Sequence, residues 1–91
     1  MAQVVVTLKI MPESPETNLD AIEKKASKLI GEFGGNVGKV EHVPVAFGLK
    51  SLNIIFIMDE NVGSTEQLEN DISGIAEVNS VEVIDVRRTI G

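Results

Sequence analysis

The sequence contains no cysteine, tryptophan or tyrosine, a single histidine and only three phenylalanines. The absence of cysteine excludes disulfides, thiolate metal sites and cysteine nucleophiles, and it is typical of a reducing compartment. No apolar run approaches the ~18 residues of a membrane-spanning helix, and the N-terminus lacks the layout of a signal peptide. We therefore expect a cytoplasmic protein with one domain over residues 1–91, because a chain of 91 residues has room for a single core.

Charge is distributed unevenly along the chain. The formal net charge is −6, and residues 51–86 contain eight acids but no lysine or arginine, before Arg87 and Arg88 follow. Such an acidic surface repels phosphate backbones, so nucleic acid is a poor candidate partner. A basic protein surface suits it better, but we interpret most of these acids as a solvated face that keeps the protein soluble.

Four segments of the chain are predicted to be strands. Apolar residues alternate with polar ones over residues 3–11 and 49–58, which is typical of strands with one buried face. Weaker patterns over residues 36–45 and 80–88 predict two more. The second and third of these strands are so close in sequence that they must pair as an antiparallel hairpin.

Two segments are predicted to be helices. Apolar positions spaced by three and four indicate a helix over residues 19–33, capped by Thr17 or Asn18. A capping-box pattern at Ser64 and Gln67 predicts the start of the second helix. The order strand, helix, strand, strand, helix, strand indicates an α+β, ferredoxin-like βαββαβ sandwich. In that fold two helices cover one face of a four-stranded antiparallel sheet.

The sequence contains few candidates for catalytic or metal-binding residues. His42 follows Glu41 in a strand, where neighbours face opposite ways, so we interpret His42 as a surface or packing residue. Residues 59–63 resemble the start of a calcium loop, but Asn70 stands where the closing glutamate is needed. Phe56 alternates with core positions and is not expected to stack on a base. We expect a binding protein rather than an enzyme, with no cofactor and no dedicated metal site.

Residues 44–50 (PVAFGLK) form an apolar turn between two predicted strands. Turns are usually polar, so an aromatic residue, Phe47, at or near the tip is unusual. An exposed aromatic ring on a tight loop typically becomes buried by a partner. Alternatively, Phe47 folds back onto the protein's own core, and the residues alone leave both readings open.

Three segments resemble the archaeal elongation factor 1-beta family. They are residues 4–15 (VVVTLKIMPESP) with the Asn18-Leu19 that follows, residues 44–53 (PVAFGLKSLN) and residues 78–88 (VNSVEVIDVRR). The resemblance spans the chain in the same element order and implies a guanine-nucleotide exchange factor. Its partner would be the GTPase elongation factor 1-alpha, on which it promotes GDP release and GTP rebinding. The resemblance implies no membrane, no direct nucleic-acid contact, and no cofactor or small-molecule substrate of its own.

The resemblance also implies a first contact region, in the hairpin. In eukaryotic relatives the aromatic residue of the Phe-Gly turn packs against the GTPase, which implies partner contact for Phe47. Pro44 would stiffen the approach to the turn and Gly48 would permit it. Lys50 would then meet an acid on the partner.

A second contact region is implied near the C-terminus. Eukaryotic relatives have a lysine there that acts on the magnesium and switch region of the GTPase, and Arg88 occupies the matching position. The planar guanidinium of arginine suits bidentate pairing with a carboxylate rather than action as a point charge on the magnesium site. We therefore expect Arg87 and Arg88 to bind the surface of the GTPase. Alternatively, both arginines offset nearby acids such as Asp85.

Two other functions remain open from the residues alone. One is a small-ligand sensing domain of the same element order, which would form a homodimer with a ligand loop after the first strand. That loop (residues 11–15, MPESP) contains no glycine for a close backbone approach, which counts against this function. The other is a non-catalytic docking subunit of a translation complex, which needs only a binding face.

Overall fold

The computed structural model describes residues 2–90, except for the side chain of Ile90, as one sheet with two helices. Its elements are β1 (Ala2–Pro12), α1 (Leu19–Phe33), β2 (Gly35–Pro44), β3 (Lys50–Asp59), α2 (Glu66–Ser73) and β4 (Val78–Ile90), with 3-10 turns at Ala46–Gly48 and Glu60–Val62. The strands are ordered β2-β3-β1-β4 and every pair is antiparallel. The predicted ferredoxin-like fold is confirmed. Within residues 2–90, both α1 and α2 fall short of the length and apolar character that a bilayer-spanning helix needs.

The core lies between the helices and one face of the sheet. Alternate residues of β1 and β3 and one stripe of each helix fill it: Val6, Leu8, Ile10, Leu52, Ile54, Phe56, Met58, Ile22, Ala26, Ile30, Leu68 and Ile72. The period of two in the strands and the spacing of three to four in the helices place these residues on facing surfaces. Phe56 is fully buried, which confirms its predicted packing role.

A bulge in β4 keeps its apolar residues on the helix side of the sheet. The register between β1 and β4 shifts between Thr7 and Leu8, which leaves Ile84 as an extra residue in β4. Val83 before the bulge and Val86 after it therefore share the face that the helices cover. Val86 is nonetheless 59% exposed, so the core thins out towards this end of β4.

The predicted start of α1 is confirmed, whereas the predicted start of α2 is wrong. Asn18, one of the two caps predicted for α1, accepts a hydrogen bond from a first-turn N–H. The capping box predicted from Ser64 and Gln67 is wrong, because α2 begins one residue later with Thr65 at its N-cap position. The Gln67 amide instead donates to Asp71 at 2.9 Å, one turn further along the helix.

Candidate protein-binding site

The loop between β2 and β3 has a defined backbone shape. Pro44 and Lys50 form the last pair of the ladder between these strands. Beyond it, the Val45 N–H donates to the Leu49 carbonyl at 2.8 Å, and the loop tip at Ala46–Gly48 forms a 3-10 turn. These backbone bonds fix the tip relative to the sheet, so its side chains are presented in a set direction.

Phe47 lies at the tip of this loop and is 94% exposed. Its backbone adopts the left-handed conformation, with φ 62° and ψ 31°, and Gly48 follows with φ 75°. A residue with a side chain adopts this region at a cost of roughly 1–3 kcal/mol, and such strain is concentrated at functional sites. The exposure of the ring shows that Phe47 does not fold back onto the core, whereas its contact with a partner stays a prediction.

An open groove of about 310 Å³ lies beside the hairpin. One wall comes from residues 12–20, which include the connection between β1 and α1. The other comes from His42, Gly48 and Lys50 of the hairpin. Lys50 thus borders a concave surface at the base of the loop that carries Phe47, an arrangement that suits a protruding segment of a partner protein.

The two C-terminal arginines lie on opposite faces of β4. Arg87 is on the uncovered face of the sheet, where its Nε donates to the Asp85 carboxylate at 3.0 Å. Arg88 is on the helix side and pairs with Glu60 in the 3-10 turn after β3. Both arginine side chains are mostly exposed, and exposed ion pairs contribute little to stability. Each guanidinium is therefore available to a partner at small cost.

The six candidate residues form two separate groups. Through the strand pairs, Arg88 lies beside Val4 and Val4 beside Met58, whereas Lys50 is eight positions earlier in β3. At about 3.3 Å per residue, this places the two groups about 26 Å apart along the sheet. We call them the hairpin group (Pro44, Phe47, Gly48 and Lys50) and the arginine pair (Arg87 and Arg88).

His42 has a neighbour that sequence reasoning missed. Glu41 faces away from it, as predicted, and pairs with Lys39 at 3.4 Å. The His42 imidazole instead lies on the helix side of β2, where its Nε2 is 3.8 Å from a carboxylate oxygen of Glu23 in α1. No local pattern marks this pair, because only the packing of α1 over the sheet edge brings the two residues together.

Residues 5–89 match the model of the EF-1 guanine nucleotide exchange domain. The chain belongs to this family. It is 43% identical to elongation factor 1-beta of Methanothermobacter thermautotrophicus over 97% of this chain and 98% of that protein. The corresponding protein of Methanobrevibacter smithii is 46% identical over the same shares of both chains. The resemblance stated from the three sequence segments is thus confirmed, and the chain is a guanine-nucleotide exchange factor of translation elongation.

Solved structures of other families share the fold. The ACT domain of a GTP pyrophosphokinase from Chlorobium tepidum matches with a TM-score of 0.61 at 14% identity, over 90% of this chain and 99% of that one. The C-terminal domain of MgtC from Mycobacterium tuberculosis matches with a TM-score of 0.64, also at 14% identity, over 96% and 87%. At such identities the likeness supports the architecture alone, because this fold serves many functions.

Proposed function

We propose that residues 1–91 act in the cytoplasm as one exchange domain that accelerates GDP release from the GTPase elongation factor 1-alpha. The observation that carries the proposal is the ring of Phe47, held almost wholly in solvent at the tip of a structured loop. A large apolar ring in this position gains free energy only when a partner buries it. The exchange-domain family and the relatives named elongation factor 1-beta support the choice of partner.

Exchange of this kind needs no catalytic acid, base or cofactor on the exchange factor. A protein that binds the nucleotide-free GTPase more tightly than the GDP-bound form weakens GDP binding by the same factor. A thousandfold faster release requires about 4 kcal/mol of additional stabilisation of the transition state for release. Contacts that form as the nucleotide leaves must supply this free energy.

The hairpin group supplies the apolar part of these contacts. Full burial of a phenylalanine side chain stabilises a complex by about 1.5–3 kcal/mol. The loop is already shaped by its backbone hydrogen bonds and by Pro44, so little conformational freedom is lost when it binds. Lys50, at the base of the loop, adds a charge that pairs with an acid on the GTPase.

The arginine pair supplies a polar contact at the other end of the sheet. Its exposed pairs with Asp85 and Glu60 exchange easily for carboxylates of a partner, which arginine binds with two parallel hydrogen bonds. A standard interface of about 800 Å² per partner is roughly 30 Å across. Arg87 and Arg88 lie on opposite faces of β4, but β4 is an edge strand, so a GTPase that covers this edge can contact both arginines together with the hairpin group.

Release of a fluorescent GDP analogue from the elongation factor 1-alpha of the same organism tests the proposal. This chain has neither tryptophan nor tyrosine, so its own emission does not interfere. We expect the release rate to rise with the concentration of the chain while the chain remains substoichiometric. Binding without acceleration would leave a docking subunit and contradict the proposed exchange activity.

Replacing Arg88 by alanine is expected to lower kcat/KM for catalysed release about fivefold, equivalent to about 1 kcal/mol, through KM rather than kcat. Arg88→Lys should lose most of the same affinity, because an ammonium cannot form the two-pronged pair. Lys39→Ala removes another cation from an exposed ion pair and serves as the control. Unchanged exchange in Arg88→Ala would remove the C-terminal region from the interface. A kcat preserved by lysine but lost in alanine would favour a point-charge action instead.

A further inference from the structure

Three potential metal ligands meet where α1 crosses the edge strand of the sheet. Asp20 and Glu23 are three positions apart on α1 and so lie on the same side of the helix. His42 reaches towards them from β2. One ligand atom of each residue lies within 4.8 Å of those of the other two, and His42 Nε2 is 3.8 Å from a carboxylate oxygen of Glu23.

The charge of these carboxylates is not neutralised by a basic side chain. Within residues 2–90, no lysine or arginine nitrogen lies within 4.0 Å of Asp20 or Glu23, and Glu23 approaches only the His42 imidazole. Glu41, on the opposite face of β2, does have a cationic partner. Two carboxylate oxygens and one imidazole nitrogen thus converge, and no lysine or arginine balances the two negative charges.

We propose that Asp20, Glu23 and His42 bind one divalent transition-metal ion of the Zn²⁺ type, with water completing the coordination. Imidazole nitrogen together with carboxylate oxygen is a donor set that Zn²⁺ accepts in tetrahedral sites. Bonds of about 2.0–2.2 Å place tetrahedral ligand atoms about 3.3 Å apart, so the separations here must shorten by at most about 1.5 Å. Rotation of exposed side chains supplies this movement, since Asp20 and His42 are both exposed.

The imidazole sets the selectivity of the site. Imidazole ligands favour Zn²⁺, Ni²⁺ and Cu²⁺, whereas Mg²⁺ and Ca²⁺ prefer sites made of oxygen ligands alone. A bound ion would join the first turns of α1 to β2, two residues before Pro44. The ion would therefore anchor the base of the hairpin to the helix.

Zinc titration of the untagged chain tests the proposal by calorimetry and by NMR of the imidazole protons. His42 is the sole histidine, so its two carbon-bound ring protons are readily assigned. At mildly alkaline pH, which favours the neutral imidazole that a metal ion requires, we expect one Zn²⁺ per chain with perturbation of both signals. An equal excess of Mg²⁺ or Ca²⁺ should leave both signals in place.

Variants then identify the ligands. His42→Gln, Glu23→Gln and Asp20→Asn should each weaken Zn²⁺ binding by at least about tenfold, the lower limit for losing a group that orients a metal. Glu41→Gln is the matched control, because it removes a neighbouring acid that faces the other way. Full affinity in any of the first three variants, an equal loss in Glu41→Gln, or unperturbed His42 signals in excess Zn²⁺ would each overturn the proposal.

Discussion

Replacing Phe47 by alanine is expected to lower kcat/KM for catalysed GDP release by about 30-fold, equivalent to about 2 kcal/mol of lost transition-state stabilisation. The ring is 94% exposed, so its removal should change the free energy of unfolding by less than about 0.5 kcal/mol. The GDP-release titration measures the first quantity, and thermal or urea unfolding measures the second. A large loss of exchange with unchanged stability is the behaviour of a residue that contacts the partner.

Ile84→Ala is the control for this experiment, because it also removes an exposed apolar side chain but from the bulge in β4. We expect it to keep most of the exchange activity. Full exchange activity of Phe47→Ala would show that the hairpin tip does not contribute to catalysed GDP release. A loss of more than about 1 kcal/mol of stability in Phe47→Ala would instead show that the ring packs against its own domain.

The fold was predictable from the sequence because its core faces follow regular periods. In β3, for example, Leu52, Ile54 and Phe56 alternate with more exposed residues. A shift of the strand register by one residue would turn all three side chains away from the core. The start of α2 was not predictable to the residue. Ser64 and Thr65 are both suitable caps by residue type. In the structure Thr65 occupies the N-cap position and its hydroxyl donates to Glu69, while the Ser64 hydroxyl accepts from the Glu66 N–H.

The candidate site was predictable only where it depends on local sequence. The apolar turn around Phe47 was visible, but its exposure was not, since the same residues suit a loop folded onto the core. The pairing of Arg88 with Glu60 links positions 28 residues apart and depends on the registers of two strand pairs. Such pairings arise from tertiary structure, which periodicity does not encode.

Replacing Gly35 by alanine is expected to destabilise the fold by about 2 kcal/mol, with a fall in Tm of roughly 8–16 °C. Gly35 is buried at the start of β2, where α1 and β3 approach closely. A Cβ atom there would lie 2.8 Å from a methyl carbon of Ile30 and 2.8 Å from a ring carbon of Phe56. Both of these side chains are fully buried, so neither can move aside without disturbing the core.

Gly31→Ala is a control that we expect to raise the stability of the fold rather than lower it. Gly31 lies in α1, and a Cβ atom added there meets nothing within 4 Å. Alanine in a helix is more favourable than glycine by about 0.5–1 kcal/mol, so Tm should rise by a few degrees. Thermal unfolding of the two variants thus separates close packing from helix propensity. If Gly35→Ala had the same Tm as the wild type, Ile30 and Phe56 would be able to move aside for the added Cβ atom. Close packing would then not be the reason for a glycine at this position.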